Sequence, residues 1–187
     1  MTQSTKVITG KVRLSYPNLF EAKSINGSDP KYSASLIIDK TDTATIKKIE
    51  DAIQLAAQEG KAKFKNGKIP ANLKTPLRDG DTDREDDPAY QGKFFLNANS
   101  NRKPQCVDQR KQRIDDPEDL YPGCYVRASL TFFAFNSNGN QGIAVGLNNI
   151  QKWAEGEPLA GGSTAAEDFD ELDVTEDDIL GGDEDLI

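Results

Sequence analysis

The stretch Tyr125-Val-Arg-Ala-Ser-Leu-Thr-Phe-Phe-Ala-Phe135 sorts by alternation into two unlike faces. Val126, Ala128, Leu130, Phe132 and Ala134 are uniformly apolar, whereas Tyr125, Arg127, Ser129, Thr131, Phe133 and Phe135 mix rings, a guanidinium and hydroxyls. Successive side chains of a strand point to opposite sides, so one face enters a core and the other is presented outward. Rings stack on any nucleobase and cations track phosphates, so the outward face predicts a sequence-tolerant platform for a single nucleic-acid strand. A single ring in such a place more commonly packs under a loop or over a barrel end. Repetition favours the platform: Lys11 and Arg13 recur on an earlier strand, and Lys93 and Phe95 on another. The basic stretch Arg102, Lys103, Arg110, Lys111 and Arg113 follows, with Arg102 and Lys103 as phosphate contacts.

Other chemistry is narrowed by what the chain lacks. There is no His, which removes Ser-His-Asp and Cys-His arrangements and the imidazole base. No P-loop pattern occurs. Cys106 and Cys124 form no C-x-x-C, so no zinc site is expected; buried thiols and a disulfide both remain open. The run Asp79, Asp81, Asp83, Glu85, Asp86, Asp87 imitates the opening of a calcium loop, but Arg84 stands where glycine belongs and Tyr90 where the closing Glu belongs. A solvated loop is the default reading, with neither metal nor cofactor. The enzyme alternative is a metal-dependent nuclease using Asp79, Asp81 and Asp83.

These residues need strands to present them. Val7–Tyr16 reads as a strand with Ile8, Val12 and Leu14 on one face and Thr9, Lys11, Arg13 and Ser15 on the other. Pro17, Asn26-Gly27 and Pro30 mark a loop after it. Lys31–Asp39 is a second strand, with Tyr32, Ala34, Leu36 and Ile38 together. Thr43–Glu59 is the one clear helix: Ile46, Ile49, Ile53, Ala56 and Ala57 form its stripe, residues 41–43 offer N-cap oxygens, and Gly60 follows as the stop. A loop-rich stretch spans 61–90. Strands are expected at Lys93–Asn99, at Cys124–Asn136 and, after the hairpin signal Ser137-Asn-Gly-Asn140, at Ile143–Ile150. Strands interrupted by a single helix describe a small β-barrel, mainly β, rather than a doubly wound sheet.

Charge divides the chain in two. Of 31 acidic residues against 23 basic, thirteen acids and no base lie beyond Trp153. Residues 1–153 therefore carry a net +5 and residues 154–187 a net −13. The body has the size of one domain. The tail, opened by Gly161-Gly-Ser-Thr164 and ended by Asp183-Glu-Asp-Leu-Ile187, should be disordered. A basic body tethered to a polyanion suggests binding of another polyanion, with the tail competing for the same groove. Alternatively the tail only solubilises, or acts as a DNA mimic on other proteins in an interaction module. No signal segment or membrane span is read.

Five stretches carry a resemblance: Val12-Arg-Leu-Ser-Tyr-Pro-Asn-Leu-Phe20, Leu77-Arg-Asp-Gly-Asp81, Phe95-Leu-Asn-Ala-Asn-Ser100, Leu120-Tyr-Pro-Gly-Cys-Tyr-Val-Arg127 and Gly142-Ile-Ala-Val-Gly-Leu-Asn-Asn-Ile-Gln151. In them, from about Val12 to Gly162, the chain resembles a bacteriophage family of single-stranded DNA-binding proteins formerly known as a domain of unknown function. The resemblance implies an OB-fold barrel, ssDNA binding without catalysis, and a role in phage DNA replication or recombination in the cytoplasm of the infected bacterial host. It also implies an acidic tail that meets replication proteins through its tip. Here that tip is Leu186-Ile187 rather than the aromatic end common in such tails. Duplex DNA would be a weaker ligand, and a homodimer is compatible with these features.

Overall fold

The apolar faces of five strands have to meet one another, and they do so by closing into a barrel. The structure, a computed structural model, describes residues 4–24, 27, 29–137, 139–159 and 170–172. The expected disorder of the tail and the role of its tip fall on 160–169 and 173–187, outside the described residues, as do Asn26 and Asn138 of the two turn signals. In chain order the elements are β1 (Lys6–Ile8), β2 (Val12–Lys23), β3 (Lys31–Asp39), α1 (Thr43–Glu59), β4 (Arg78–Asp79), α2 (Gly80–Asp83), β5 (Lys93–Ser100), β6 (Gln105–Val107), β7 (Tyr125–Ser137) and β8 (Asn140–Ala154).

β2 pairs with β3, β3 with β5, β5 in parallel with β8, β8 with β7, and β7 again with β2. That closed circuit of five strands is an OB-type barrel. Val12, Leu14, Ala34, Leu36, Leu96, Ala98, Val126, Leu130, Phe132 and Leu147 fill it, each at most 2% exposed. The expected apolar face of β7 is thus the core face, without exception from Val126 to Ala134.

α1 spans the expected residues. The Asp42 carboxylate accepts from the Thr45 amide at 3.2 Å, and the Gly60 amide donates to the Ala56 carbonyl. Ile49, Ala52, Ile53, Ala56 and Ala57 are buried, while Ile46 packs at the margin.

Several local expectations are corrected. The first strand is broken at Thr9–Lys11, which resets the alternation: Ile8 is 43% exposed, and Thr9 is buried with its hydroxyl accepting from the Ala128 amide. Pro17 does not end β2. The strand passes through a bulge, because Ser15 faces Ser35 but the next partner pair is Asn18 and Ser33. A bulge leaves its extra residues unpaired, so the missing proline amide costs no ladder bond there. Ser15, expected on the outer face, is buried there under later chain. The short strand β6 lies inside the stretch read as basic and polar; it pairs in parallel with the end of β8, which runs past Ile150 to Ala154.

Candidate nucleic-acid interface

The outer face of β7 carries four of the ten expected site residues, Tyr125, Arg127, Phe133 and Phe135, and it divides into two ends. Phe133 is 45% exposed. It stands across from Ala144, and its ring edge lies 3.7 Å from where a Cβ on Gly146 would be. Phe135 stands across from Gly142, where a Cβ would come within 2.9 Å of its ring. Small residues on β8 thus form a bed against which the edges of both rings rest. Gly146 is in turn the partner of Asn99 on β5. The path from Phe133 therefore runs over Gly146 to Asn99 and on to the exposed turn carrying Arg102 and Lys103. Lys103 Nζ lies 5.7 Å over the Phe20 ring, and Lys103, Lys111 and Arg113 line one cleft of about 480 Å³ with Phe20. Arg113 is paired with Asp115 at 2.7 Å.

The other end of β7 is eight residues away, roughly 26 Å along a strand. Lys11 Nζ lies 4.7 Å, and the Arg13 guanidinium 5.8 Å, from the centroid of the half-buried Tyr125 ring. Arg13 also donates to the Gly123 carbonyl at 3.1 Å and the Glu157 carbonyl at 2.6 Å. Arg127 donates to the Gln151 side chain at 2.7 Å and borders a cleft with Gln109 and Trp153. Trp153 is 45% exposed.

Lys93 lies apart from both ends. It is paired with Asp39 at 2.6 Å. That ammonium, with the Thr41 amide and hydroxyl, holds the Asp39 carboxyl at about 2. Phe95 is the clear correction. It points outward as alternation required, yet it is fully buried: Tyr90 packs edge-on against it at 5.1 Å, and Arg78 and Arg84 lie over its ring. In this arrangement it cannot stack on a base.

The acidic run has structural employment. Asp79 and Asp81 pair with Lys40 at 2.8 and 2.7 Å, and Asp83 pairs with Arg78 at 3.1 Å. Lys40 is raised by these two carboxylates and lowers both in return. Asp79 and Asp87 also cap the turns that follow them. Cys106 and Cys124 are free and buried, and burial pushes both thiols up to about 11.

The chain beyond β8 does not leave the barrel at once. The Gly156 amide donates to the Tyr121 hydroxyl at 2.9 Å, and the Leu159 amide donates to the Pro122 carbonyl at 2.8 Å. The Glu155 carboxyl is held below its ordinary value by Lys152 and by the Tyr121 hydroxyl. A strap of residues 155–159 therefore lies against Tyr125, Arg13 and Tyr90.

Sequence reasoning missed Trp153, Phe20 and Lys74. Lys74 bridges to Gly142 beside Phe135, within a segment, 61–77, that has five lysines and no acid. That composition was a readable signal.

Residues 5–180 match the family model described as Enterobacter phage Enc34, ssDNA-binding protein. The p50 protein of Acyrthosiphon pisum secondary endosymbiont phage 1 is 30% identical over 183 residues, covering 94% of this chain and 98% of that protein. The fold is similar to the single-stranded DNA-binding protein from bacteriophage Enc34 in complex with ssDNA, with a TM-score of 0.73 and 24% identity over 83% of this chain and 90% of the other. It is also similar to gp2.5, the single-stranded DNA binding protein encoded by bacteriophage T7, with a TM-score of 0.54 and 14% identity over 87% and 99%. Among the described residues no helix is long and apolar enough to cross a membrane.

Proposed function

The chain belongs to the family of the Enterobacter phage Enc34 ssDNA-binding protein, and from that premise we propose that it binds single-stranded DNA without sequence preference and without catalysis. The observation that carries this reading is the exposed Phe133 ring, bedded on Gly146 and continuous through Asn99 with the basic turn at Arg102 and Lys103. Bases stack on Phe133 and Phe135. Phosphates meet Arg102, Lys103 and Arg127, and Lys11, Arg13, Lys93 and Tyr125 stand as secondary contacts that must first release their present partners.

The tail deepens the reading. Eleven of its thirteen acids lie beyond Leu159, where the strap ends. Tethered there, they reach an effective concentration at the basic surface on the order of millimolar. They compete with nucleic acid for the same cations, and single-stranded DNA displaces them because it alone adds stacking. The biological setting is phage DNA replication or recombination in the host cytoplasm, with replication proteins met through the Leu186-Ile187 tip.

The test is titration of labelled oligothymidine with the full chain over a salt series. Affinity should fall with a log–log slope of about −0.7 per neutralised phosphate. A flat salt response, or no binding at low salt, removes the reading.

A further inference from the structure

The bulge in β2 holds a feature that the reading above does not use. Tyr16 lies in it with φ at +44°, in the left-handed region that a residue with a Cβ rarely adopts. Its ring is nevertheless 60% exposed. Strained backbone that holds a ring in solvent gains nothing from packing, and such outliers cluster at binding sites.

Beside it stands Arg84. Its guanidinium carbon is 6.0 Å from the Tyr16 ring centroid and 5.6 Å from those of Tyr90 and Phe95. Although Arg84 sits inside the acidic run, no ion pair involves it among the described residues; Asp79, Asp81 and Asp83 pair with Lys40 and Arg78 instead, and Glu85, Asp86 and Asp87 border it without pairing to it. The acidic loop thus lays one guanidinium, held in no ion pair among the described residues, across an aromatic floor. A cleft of about 360 Å³ opens next to Tyr16, bordered by Ser15, Asp87, Tyr90 and Leu159.

We propose that Tyr16 and Arg84 form a nucleotide clamp, in which one base of a single strand stacks on the Tyr16 ring and its phosphate meets Arg84. The proposal rests on the ssDNA-binding reading and adds a site to it. Asp87 repels a phosphate from the cleft, which leaves the cleft to the uncharged base and the phosphate to the guanidinium. Leu159 borders the same cleft, so the base enters beside the point where the tail departs.

The test uses the full chain, oligothymidine and two variants. Tyr16→Gly removes the ring and supplies the residue that best tolerates this φ. It should weaken binding roughly 5- to 150-fold, the fold-change of one lost stacking contact, without lowering the melting temperature. Arg84→Ala should weaken binding and flatten the salt slope by about 0.7, the value for one phosphate. Ultraviolet cross-linking of the wild-type complex, mapped by mass spectrometry, should place a thymine adduct on Tyr16. If the wild type binds while both variants bind equally well and Tyr16 carries no adduct, the clamp is overturned and the parent reading stands. If the wild type binds no ssDNA, both fall together.

Discussion

Truncating Phe133 to alanine should cost affinity for single-stranded DNA while leaving the chain folded. A phenylalanine buries on the order of 200 Å² when fully covered. Phe133 is 45% exposed, so roughly half of that is already covered by the Gly146 bed. At about 25 cal/mol per Å² its truncation costs about 2.5 kcal/mol of stability, within what a domain of 5–15 kcal/mol tolerates. The exposed remainder is the part a base covers, and losing that stacking contact costs about 1–3 kcal/mol of binding, roughly 5- to 150-fold in Kd. Fluorescence anisotropy with labelled oligothymidine measures this at several salt concentrations. Because the ring neutralises no phosphate, the salt slope should not change while the whole line moves to weaker binding. Phe133→Trp should restore affinity. The neighbouring Phe132→Ala is the contrast: its ring is 1% exposed inside the barrel, and its truncation should cost about 3–5 kcal/mol, a drop of roughly 6–20 °C in melting temperature. An unchanged Kd for Phe133→Ala, or a changed slope at unchanged low-salt affinity, refutes stacking at this ring.

Removing residues 160–187 while keeping the strap should raise affinity for all nucleic acids, proportionally more for duplex than for single strands, and the gain should shrink at high salt; equal affinities at low salt would show that the tail does not visit the groove. Lys103→Ala and Arg127→Ala should each weaken binding uniformly across sequences and reduce the salt slope by about 0.7, measured in the same titrations. Asp39 is held at about 2, below its ordinary 3.8, by Lys93 and Thr41. The folded-state value is the lower one, so the ionised carboxylate stabilises the fold above about pH 4, and that contribution is lost as pH falls from 3.8 through about 2. Asp39→Asn should therefore flatten acid unfolding in that window, followed by circular dichroism; an unaltered acid transition would show that the pair contributes nothing.

What could be read from the chain alone was whatever repeats at the period of its own backbone. The facing of β7, with Val126 through Ala134 inward and Phe133 outward, follows from the two-residue alternation of a strand. The span of α1 follows from its apolar stripe, the Asp42 cap and the Gly60 stop. The basic body and acidic tail are sums over residue types and need no coordinates. Alternation, however, says only which side of its own sheet a residue takes, not what later covers that side. Phe95 points outward as expected and is buried because the loop carrying Arg84 and Tyr90 folds over it. The bulge that turns Tyr16 outward depends on register with β3. The joining of Phe133 to Arg102 through Gly146 and Asn99 comes from the parallel pairing of β5 with β8. Those arrangements are set by contacts between residues far apart in the chain, whose energies appear only once the barrel closes.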